Sequence, residues 1–366
     1  MKFTYFHFGA RNFTVANSSI RFFALTAIVL LAGALSLSAQ ASALQLEKTI
    51  PLPGVTGRFD HLAIDTAGNR LFIAATGNHS LEVIDLKTGK AEQSITGLGK
   101  PHGLAWVAAT GSLYIADGSL AELRVYKGSP LALAGTIKLS EDADDMVYDE
   151  AAHLLFVGHG GSGVAAPALV AVVDTDKFLL LANLSVANHP EALEIDPAGN
   201  RIFVNVADSS EVAVIDASSK AITAHWKLTK AAQNVPLAFD GDQRLIFLAC
   251  RTPGTVIAID ASTGKELASL PTAAGADDLF YDSAQRRVYV IAGSGEVDTY
   301  QVDEAKNLHA LGALKTAAGA KTGLFVPMQN LLYVGLPGTG LDAASIRVYK
   351  TANSGAPTPA TATAQR

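Results

Sequence analysis

Cysteine, tryptophan and charged side chains are scarce in this chain of 366 residues, and each shortage excludes a class of protein. Cys250 is the single cysteine, which rules out an intramolecular disulfide and a Cys-x-x-Cys-His haem attachment site. Trp106 and Trp226 are the only tryptophans, too few for a Trp-Asp repeat or a quinone enzyme that docks its cofactor on tryptophans. No Gly-x-Ser-x-Gly sequence is present, so the nucleophile elbow of an α/β-hydrolase is also excluded.

Acidic side chains are absent from the first 43 residues. This segment carries three basic residues, then an apolar run over residues 22–35, then the small residues Ala39 to Ala43. That order predicts a secretory signal peptide, residues 1–43, cleaved after Ala43 or Ala41. The alternative is an uncleaved membrane anchor, but the apolar run is shorter than the ~20 residues that a spanning helix needs. We therefore expect a periplasmic or secreted protein with no stable membrane span after cleavage.

Positive charge is in deficit once the leader is removed. The net charge falls from −6 to −9 because three basic residues are lost and no acidic ones. An acidic surface repels phosphate backbones, and no cluster of Lys or Arg interrupts it, so nucleic acid is not an expected partner. The tail over residues 352–366 is rich in Ala, Thr and Pro without apolar periodicity, which predicts disorder.

A repeat runs through the rest of the chain. Its clearest marker is a strand with an aromatic residue at its centre, and this marker occurs seven times, at Leu71-Phe72-Ile73, Leu113-Tyr114-Ile115, Leu155-Phe156-Val157, Ile202-Phe203-Val204, Ile246-Phe247-Leu248, Val288-Tyr289-Val290 and Leu332-Tyr333-Val334. A shorter strand precedes each marker, and these first strands are predicted to end at Asp65, Val107, Asp149, Asp196, Asp240, Asp282 and Val326. A third and a weaker fourth strand follow.

The period of the repeat predicts the fold. Successive first strands end 42, 42, 47, 44, 42 and 44 residues apart, and the longest interval contains the glycine-rich segment Gly158–Gly163. These spacings match the ~40–45 residues of a four-stranded propeller blade. The seventh copy lacks a fourth strand, whereas a spare strand, Leu46–Ile50, lies at the start of the mature chain. The sequence therefore predicts an all-β, seven-bladed β-propeller over residues 44–351, closed by its N-terminal strand.

The segment Phe59-Asp60-His61-Leu62-Ala63-Ile64-Asp65, followed by Gly68-Asn69-Arg70-Leu71-Phe72-Ile73-Ala74, resembles the YncE-like, YVTN-type β-propeller repeat proteins. Segments 276–282 and 322–327 resemble them too, and the likeness covers about residues 44–350. The resemblance implies a propeller fold and export. Related seven-bladed proteins include phosphogluconolactonase-like and streptogramin-lyase-like enzymes, but no catalytic motif of either can be transferred to residues of this chain.

Polar side chains gather where a propeller would place them on one face of its central channel. These residues lie before the first strands or between the second and third strands, and the candidates for ligand binding are Arg58, Asp60, His61, His102, Asp144, Asp145, His189, Glu191, Arg251, Asp277, Asp278 and Lys321. Imidazole with carboxylate suits a divalent metal ion such as zinc or manganese. The metal candidates within this set are His61, His102, Asp60 and Glu191.

Three functions stay open at this point, and no catalytic residue is assigned. The first is a binding module for a small ligand, a metal ion or a protein partner at the channel face. The second is a metal-dependent, lactonase- or lyase-like enzyme at the channel mouth, and the third is a scaffold that uses the blade rims. The competing explanation is that a solvated channel mouth is simply polar. The cofactor is not assigned, and a divalent metal ion is the one candidate. The closed ring suggests a monomer, and Cys250 is expected to be an inert core residue.

Overall fold

The structure is a computed structural model that describes residues 43–161, 166–340 and 342–351. The predicted signal peptide, except Ala43, and the predicted disordered tail over residues 352–366 therefore lie outside the described residues, as does part of the glycine-rich segment. Within the described part of the chain, no helix is long and apolar enough to cross a membrane.

The described residues form 28 strands in seven four-stranded antiparallel sheets. The first strand is β1 (Leu44–Pro51). Blade 1 comprises β2 (Leu62–Asp65), β3 (Arg70–Ala75), β4 (Ser80–Asp85) and β5 (Lys90–Thr96). Blade 2 comprises β6 (Pro101–Val107), β7 (Ser112–Asp117), β8 (Glu122–Lys127) and β9 (Ala132–Lys138). Blade 3 comprises β10 (Met146–Asp149), β11 (Leu154–His159), β12 (Leu169–Asp174) and β13 (Leu179–Ser185).

The remaining blades repeat this order. Blade 4 comprises β14 (Pro190–Asp196), β15 (Arg201–Val206), β16 (Glu211–Asp216) and β17 (Ala221–Lys227). Blade 5 comprises β18 (Ala232–Asp240), β19 (Leu245–Thr252), β20 (Gly254–Asp260) and β21 (Glu266–Pro271). Blade 6 comprises β22 (Ala276–Asp282), β23 (Arg287–Ala292), β24 (Glu296–Val302) and β25 (Leu308–Lys315). Blade 7 comprises β26 (Gly323–Val326), β27 (Leu331–Leu336), β28 (Ser345–Thr351) and β1.

The predicted seven-bladed propeller is confirmed, including the way it closes. All seven first strands end at the residues that the repeat predicted. The N-terminal strand β1 pairs antiparallel with β28, from Leu44 opposite Thr351 to Pro51 opposite Ser345. This pairing joins the two ends of the described chain and covers the edge of blade 7, which could otherwise pair with a strand of another chain.

The aromatic residue of each repeat is buried because every blade packs between two neighbours. Phe72, Phe156, Phe203 and Phe247 have no exposed surface. The ring centroid of Phe203 lies 5.5 Å from that of Phe239 and 5.7 Å from that of Trp226, within the range of favourable aromatic contacts. A large buried ring therefore recurs at the same position of every blade, which explains why these positions are the strongest marker in the sequence.

The turns between first and second strands, on the face opposite the candidate site, are polar hairpins with structural partners. In blade 1 the backbone N–H of Gly68 donates to Asp65 Oδ1 at 2.9 Å, and Arg70 pairs with Asp65 Oδ2 at 2.8 Å. A Cβ at Gly68 would lie 2.2 Å from Asp65 Oδ2, so a larger residue there would displace the Asp65 carboxylate from its partners. The described chain also has four 3-10 helices: Ala108–Thr110 and Pro327–Gln329 lie between first and second strands, and Thr76–Asn78 and Ala207–Ser209 lie between second and third strands.

Candidate functional site at the channel face

Short segments before the first strands hold the candidate side chains. In blade 1 the N–H of Asp60 donates to the carbonyl of Ala74 at 2.8 Å, and the N–H of Ala74 donates to the carbonyl of His61 at 3.1 Å. In blade 3 Asp144 and Asp145 make the same pair of backbone bonds with Gly158, at 2.9 and 3.0 Å. The strand pairing therefore continues past the first strand and fixes equivalent positions of different blades at one level of the channel.

A cavity of about 190 Å³ lies at this level. Eleven of the twelve ligand-binding candidates line it, and the twelfth, Asp278, lines the chamber beneath. The complete lining is Arg58, Asp60, His61, His102, Asp142, Asp144, Asp145, His189, Glu191, Ala192, Val235, Arg251, Asp277 and Lys321. Burying a charged group costs free energy unless the group is paired or binds an ion. Such a dense set of ionisable groups therefore points to a functional role of the cavity.

The first cluster consists of Asp60, His102 and Asp144, contributed by three successive blades. Nδ1 of His102 donates to Oδ2 of Asp60 at 2.6 Å and lies 3.5 Å from Oδ1 of Asp144. Asp60 and His102 are 5% and 4% exposed, so both are withdrawn from bulk water. Each of the three residues offers one nitrogen or oxygen atom within 4.8 Å of the other two, which is close enough for all three to hold one metal ion.

The second cluster consists of Asp144, His189 and Glu191 and satisfies the same distance criterion. Nε2 of His189 lies 3.6 Å from Oδ2 of Asp144. On its other side, Nδ1 of His189 donates to the carbonyl of Gly160 at 2.7 Å. A hydrogen bond of this kind orients the ring and directs Nε2 towards the cavity, as it does in many histidines that bind metals.

His61 belongs to neither cluster, although the sequence grouped it with the metal candidates. Its Nδ1 lies 3.5 Å from Asp278, and its Nε2 lies 3.9 Å from both Asp60 and Asp145. Burial lowers the pKa of His61, but the charges of Asp145, Asp278 and two further aspartates outweigh burial and raise it to about 10. At neutral pH His61 is therefore a cation that separates the cavity from the chamber beneath.

Permanent cations occupy other parts of the cavity wall, each with a carboxylate partner. Arg58 Nη1 lies 2.9 Å from Asp60 Oδ2. Arg251 and Lys321 both pair with Asp277, and Nε of Arg251 also donates to the carbonyl of Ala276 at 3.0 Å. Arg251 and Lys321 thus form a cationic wall in which Asp277 balances one of the two charges.

Burial and neighbouring charges shift the pKa values of the carboxyl groups of the site, lowering some and raising others. For Asp60 and Asp144 burial acts to raise the pKa, but hydrogen bonds and charges of the histidines outweigh it and lower the pKa. Burial and the Asp144 charge raise the pKa of Glu191 to about 7, and burial raises that of Asp278 to about 7. Acidic and basic groups with strongly shifted pKa values in one cavity are typical of functional sites.

The chamber beneath has a volume of about 200 Å³ and was not anticipated from the sequence. Six blades contribute an aliphatic side chain from the same repeat position, and these residues are Leu62, Leu104, Met146, Leu193, Leu237 and Leu279. Gly323 occupies that position in the seventh blade, where a Cβ would lie 2.3 Å from the carbonyl oxygen of Tyr333. The N–H of Gly323 donates to Asp278 at 2.7 Å, so Asp278 links the first strands of blades 6 and 7. The recurring aliphatic residue was the signal in the sequence that could have revealed this chamber.

Other polar residues between second and third strands have structural roles. Asp117 accepts hydrogen bonds from the backbone N–H groups of Gly99 and Lys100, at 2.8 and 2.9 Å. His159 accepts from the N–H of Ser140 at 3.1 Å. Cys250 is fully buried, and burial raises the pKa of its thiol to about 12, in agreement with the expected inert core residue.

Comparisons with known proteins identify the fold and leave the family open. No family model matches the chain, and no curated protein matches it. Kuenenia stuttgartiensis hydrazine synthase is similar in structure, with a TM-score of 0.70 and 16% identity, over 80% of this chain and 96% of that chain. A structure of U3-55K is similar with a TM-score of 0.69 and 12% identity, over 83% of this chain and 98% of that chain. The likeness is one of fold.

Proposed function

We propose that this protein is a binding module that holds a divalent transition-metal ion at the channel face, in the clusters that share Asp144. Propellers commonly serve as binding or scaffold modules, so the function has to be argued from the site. The observation that carries the proposal is the position of the Asp144 carboxylate between Nδ1 of His102 and Nε2 of His189, at 3.5 and 3.6 Å.

These distances fit metal coordination better than hydrogen bonding. An N–H···O hydrogen bond between charged groups is ordinarily about 2.7–2.9 Å long. Ligand atoms about 2.1 Å from a tetrahedral zinc ion lie about 3.4 Å from each other. The separations of Asp144 from both imidazoles match the second value. The 2.6 Å contact between Asp60 and His102 is a hydrogen bond, whose proton a bound ion would replace.

The chemistry of the clusters selects a class of ion. Each cluster offers one imidazole and two carboxylates, a donor set that suits zinc, manganese or ferrous iron. His102 and Asp60 were metal candidates from the sequence, as was Glu191, whereas Asp144 and His189 now take the place of His61. Three protein ligands leave one coordination position open towards the cavity, as in catalytic zinc sites.

The resemblance to YncE-like proteins supports an exported protein of this type. A periplasmic or secreted location follows from the predicted signal peptide. The proposed module works as a monomer, and its physiological ligand enters from the open side of the cavity.

Elemental analysis tests the proposal. The mature protein, residues 44–366 without a histidine tag, is dialysed against chelator, then against micromolar Zn²⁺ or Mn²⁺, and the retained metal is measured. We expect at least one equivalent, and we expect Asp144→Asn to lower zinc affinity by more than about 100-fold, beyond the loss typical of second-shell changes.

Asp142→Asn is the matched control for this experiment. Asp142 lines the same cavity but belongs to neither cluster, and its φ of 57° is a conformation that asparagine also tolerates. Equal loss of metal in Asp142→Asn and Asp144→Asn would mean that general negative charge holds the ion. Absence of retained zinc and manganese in the wild-type protein would refute the proposal.

A second candidate function is metal-dependent hydrolysis or elimination on a small lactone-like substrate. It is favoured by the open coordination position together with the cationic wall of Arg251 and Lys321, which can hold an anionic substrate group. The test is turnover of a panel of lactones and lyase substrates by zinc-loaded protein. We expect His102→Ala to abolish turnover while circular dichroism stays unchanged; turnover that survives this substitution would exclude the channel-face site.

A further inference from the structure

We infer that the channel face holds two divalent ions, bridged by the carboxylate of Asp144. This inference rests on the proposed function and adds the number of ions and the role of one residue. One ion is bound by Asp60, His102 and Oδ1 of Asp144. The other is bound by His189, Glu191 and Oδ2 of Asp144.

The two oxygens of Asp144 face different histidines. Oδ1 lies 3.5 Å from Nδ1 of His102, whereas Oδ2 lies 3.6 Å from Nε2 of His189. A carboxylate that binds one ion through a single oxygen leaves its second oxygen free for a hydrogen-bond donor or a second ion. Here the second oxygen is directed at another potential metal ligand, and this is the arrangement of a bridging carboxylate.

The remaining ligands separate into two sets. Asp60 and His102 group with Asp144 within 4.8 Å, and His189 and Glu191 group with Asp144 within the same limit. Among the described residues, no such group contains both histidines. A single ion therefore cannot be bound by His102 and His189 together without a larger rearrangement, whereas two ions can use all five side chains once the 2.6 Å hydrogen bond between Asp60 and His102 opens to coordination distance.

The charge and size of the cavity are compatible with bound cations. Its lining contains six carboxylates, Asp60, Asp142, Asp144, Asp145, Glu191 and Asp277, against the cations Arg58, Arg251, Lys321 and His61. One divalent ion already balances this negative excess, so the number of ions rests on the geometry of the ligands. Paired metal ions in proteins lie about 3.5–4 Å apart, a separation that one cavity of this size accommodates.

Each of the two ligand sets also has a residue that is held in place by a group outside the set. Arg58 binds Asp60 at 2.9 Å and so orients the outer carboxylate of the first set. The carbonyl of Gly160 accepts from Nδ1 of His189 at 2.7 Å and so orients the imidazole of the second set. Each proposed ion therefore has one ligand fixed from behind by a group that takes no part in the other set.

Metal stoichiometry of single variants tests this inference. The chelator-treated mature protein is equilibrated with Zn²⁺, and bound zinc is measured by mass spectrometry and by titration calorimetry. We expect two equivalents in the wild type, one in His102→Ala, one in His189→Ala and none in the double variant. His153→Ala is the control, since it removes a histidine paired with Asp176 at 2.8 Å on the opposite face, and it should retain both equivalents.

Magnetic coupling between the ions gives a second readout. With two equivalents of Mn²⁺, the wild type should show an exchange-coupled electron paramagnetic resonance signal, and each single histidine variant should show the spectrum of isolated Mn²⁺. Thermal unfolding of each variant without metal confirms that the fold is retained.

The outcomes separate this inference from the proposed function. One equivalent in the wild type, lost on either histidine substitution, would overturn the two-ion site and leave a single-ion site in place. A second equivalent that survives in the double variant would place that ion elsewhere and would also overturn it. No bound metal in the wild type would refute both.

Discussion

Nδ1 of His102 donates to Oδ2 of Asp60 at 2.6 Å, although 42 residues separate the two in the chain. That interval equals one repeat of the propeller, so residues one period apart occupy equivalent places on neighbouring blades and meet at the channel. The same rule brings Asp144 within 3.5 Å of His102. A metal site with ligands from successive blades can therefore arise from substitutions at one repeat position.

Metal binding should release protons. Burial lowers the pKa of His189, but the nearby Asp144 carboxylate and the Gly160 carbonyl outweigh burial and raise it to about 9. Burial also lowers the pKa of His102, and the carboxylates of Asp144 and Asp60 outweigh it and raise this pKa too. His189 is therefore protonated and Glu191, with a pKa of about 7, is about half protonated at pH 7 in chelator-treated protein, and both must lose their protons to bind metal, so roughly one to two protons should be released. Affinity should therefore fall as pH is lowered.

Calorimetry in two buffers of different ionisation enthalpy measures this release. His189→Ala should release about one proton fewer than the wild type, since that imidazole is gone. Binding of zinc without any proton release would show that the ion avoids His189.

Asp196 should stabilise the protein except in strong acid. The carboxyl group has no exposed surface and pairs with Arg201 at 2.8 Å and with Arg244 of the next blade at 2.5 Å. Burial alone would raise its pKa, but these arginines lower it to about 2. The unfolded chain binds this proton near pH 4, so the stabilisation, about 2 kcal/mol, is complete above that pH and is lost as pH falls towards 2.

Urea unfolding of Asp196→Asn across pH checks this expectation. The free-energy deficit relative to wild type should be about 2 kcal/mol at pH 7 and should shrink below pH 4. Asp149→Asn is the control at the same repeat position, since its Oδ1 accepts only from backbone N–H groups of Ala151 and Ala152. A deficit for Asp196→Asn that stays constant down to pH 2 would contradict the ion-pair explanation.

The N-terminal strand should contribute strongly to stability. Ile50 of β1 is 2% exposed and packs in a core cluster with Leu52 and Ile346, whereas its neighbour Thr49 is exposed. Ile50→Ala should lower the free energy of unfolding by about 2–4 kcal/mol, and Thr49→Ala by less than about 0.5 kcal/mol. Similar urea midpoints for the two variants would mean that β1 does not close the ring in solution.

Cys250 should resist alkylation in the folded protein. Its thiol is fully buried in a core cluster with Leu248 and Ile257, and burial raises its pKa to about 12, so almost no thiolate forms at pH 8. Mass spectrometry after iodoacetamide treatment should show no modification of native protein and complete modification in concentrated urea. Rapid reaction of the native protein would place Cys250 at an accessible site.

The sequence predicted the fold in detail because the same pattern of strands occurs seven times. A single strand such as Met146–Asp149 is too short to be recognised alone, but seven copies at one spacing reinforce each other. The same alignment brought out Asp60, His102, Asp144 and Glu191 as residues of one ring. The bounds of the blades and the lining of the cavity therefore follow from residue positions.

The pairings inside the ring did not follow from the sequence. His61 and His102 were both metal candidates, yet His102 contacts Asp60, while His61 lies 3.5 Å from Asp278. Asp60 and His61 are adjacent, and neighbouring residues of an extended segment direct their side chains to opposite sides. The position in the ring therefore decides what a side chain meets: His61 and Asp145 line both the cavity and the chamber beneath, whereas Asp60 and Asp144 line the cavity alone.

The sequence by itself determined the number of blades, the closing strand and the level of the channel at which charge collects, because these depend only on the repeat period. The tertiary structure decided that Asp144 lies between two histidines and that Asp277 pairs with Arg251 and Lys321. These contacts depend on side-chain directions across a channel a few ångströms wide. Such directions result from the packing of all seven blades, and no spacing along the chain encodes them.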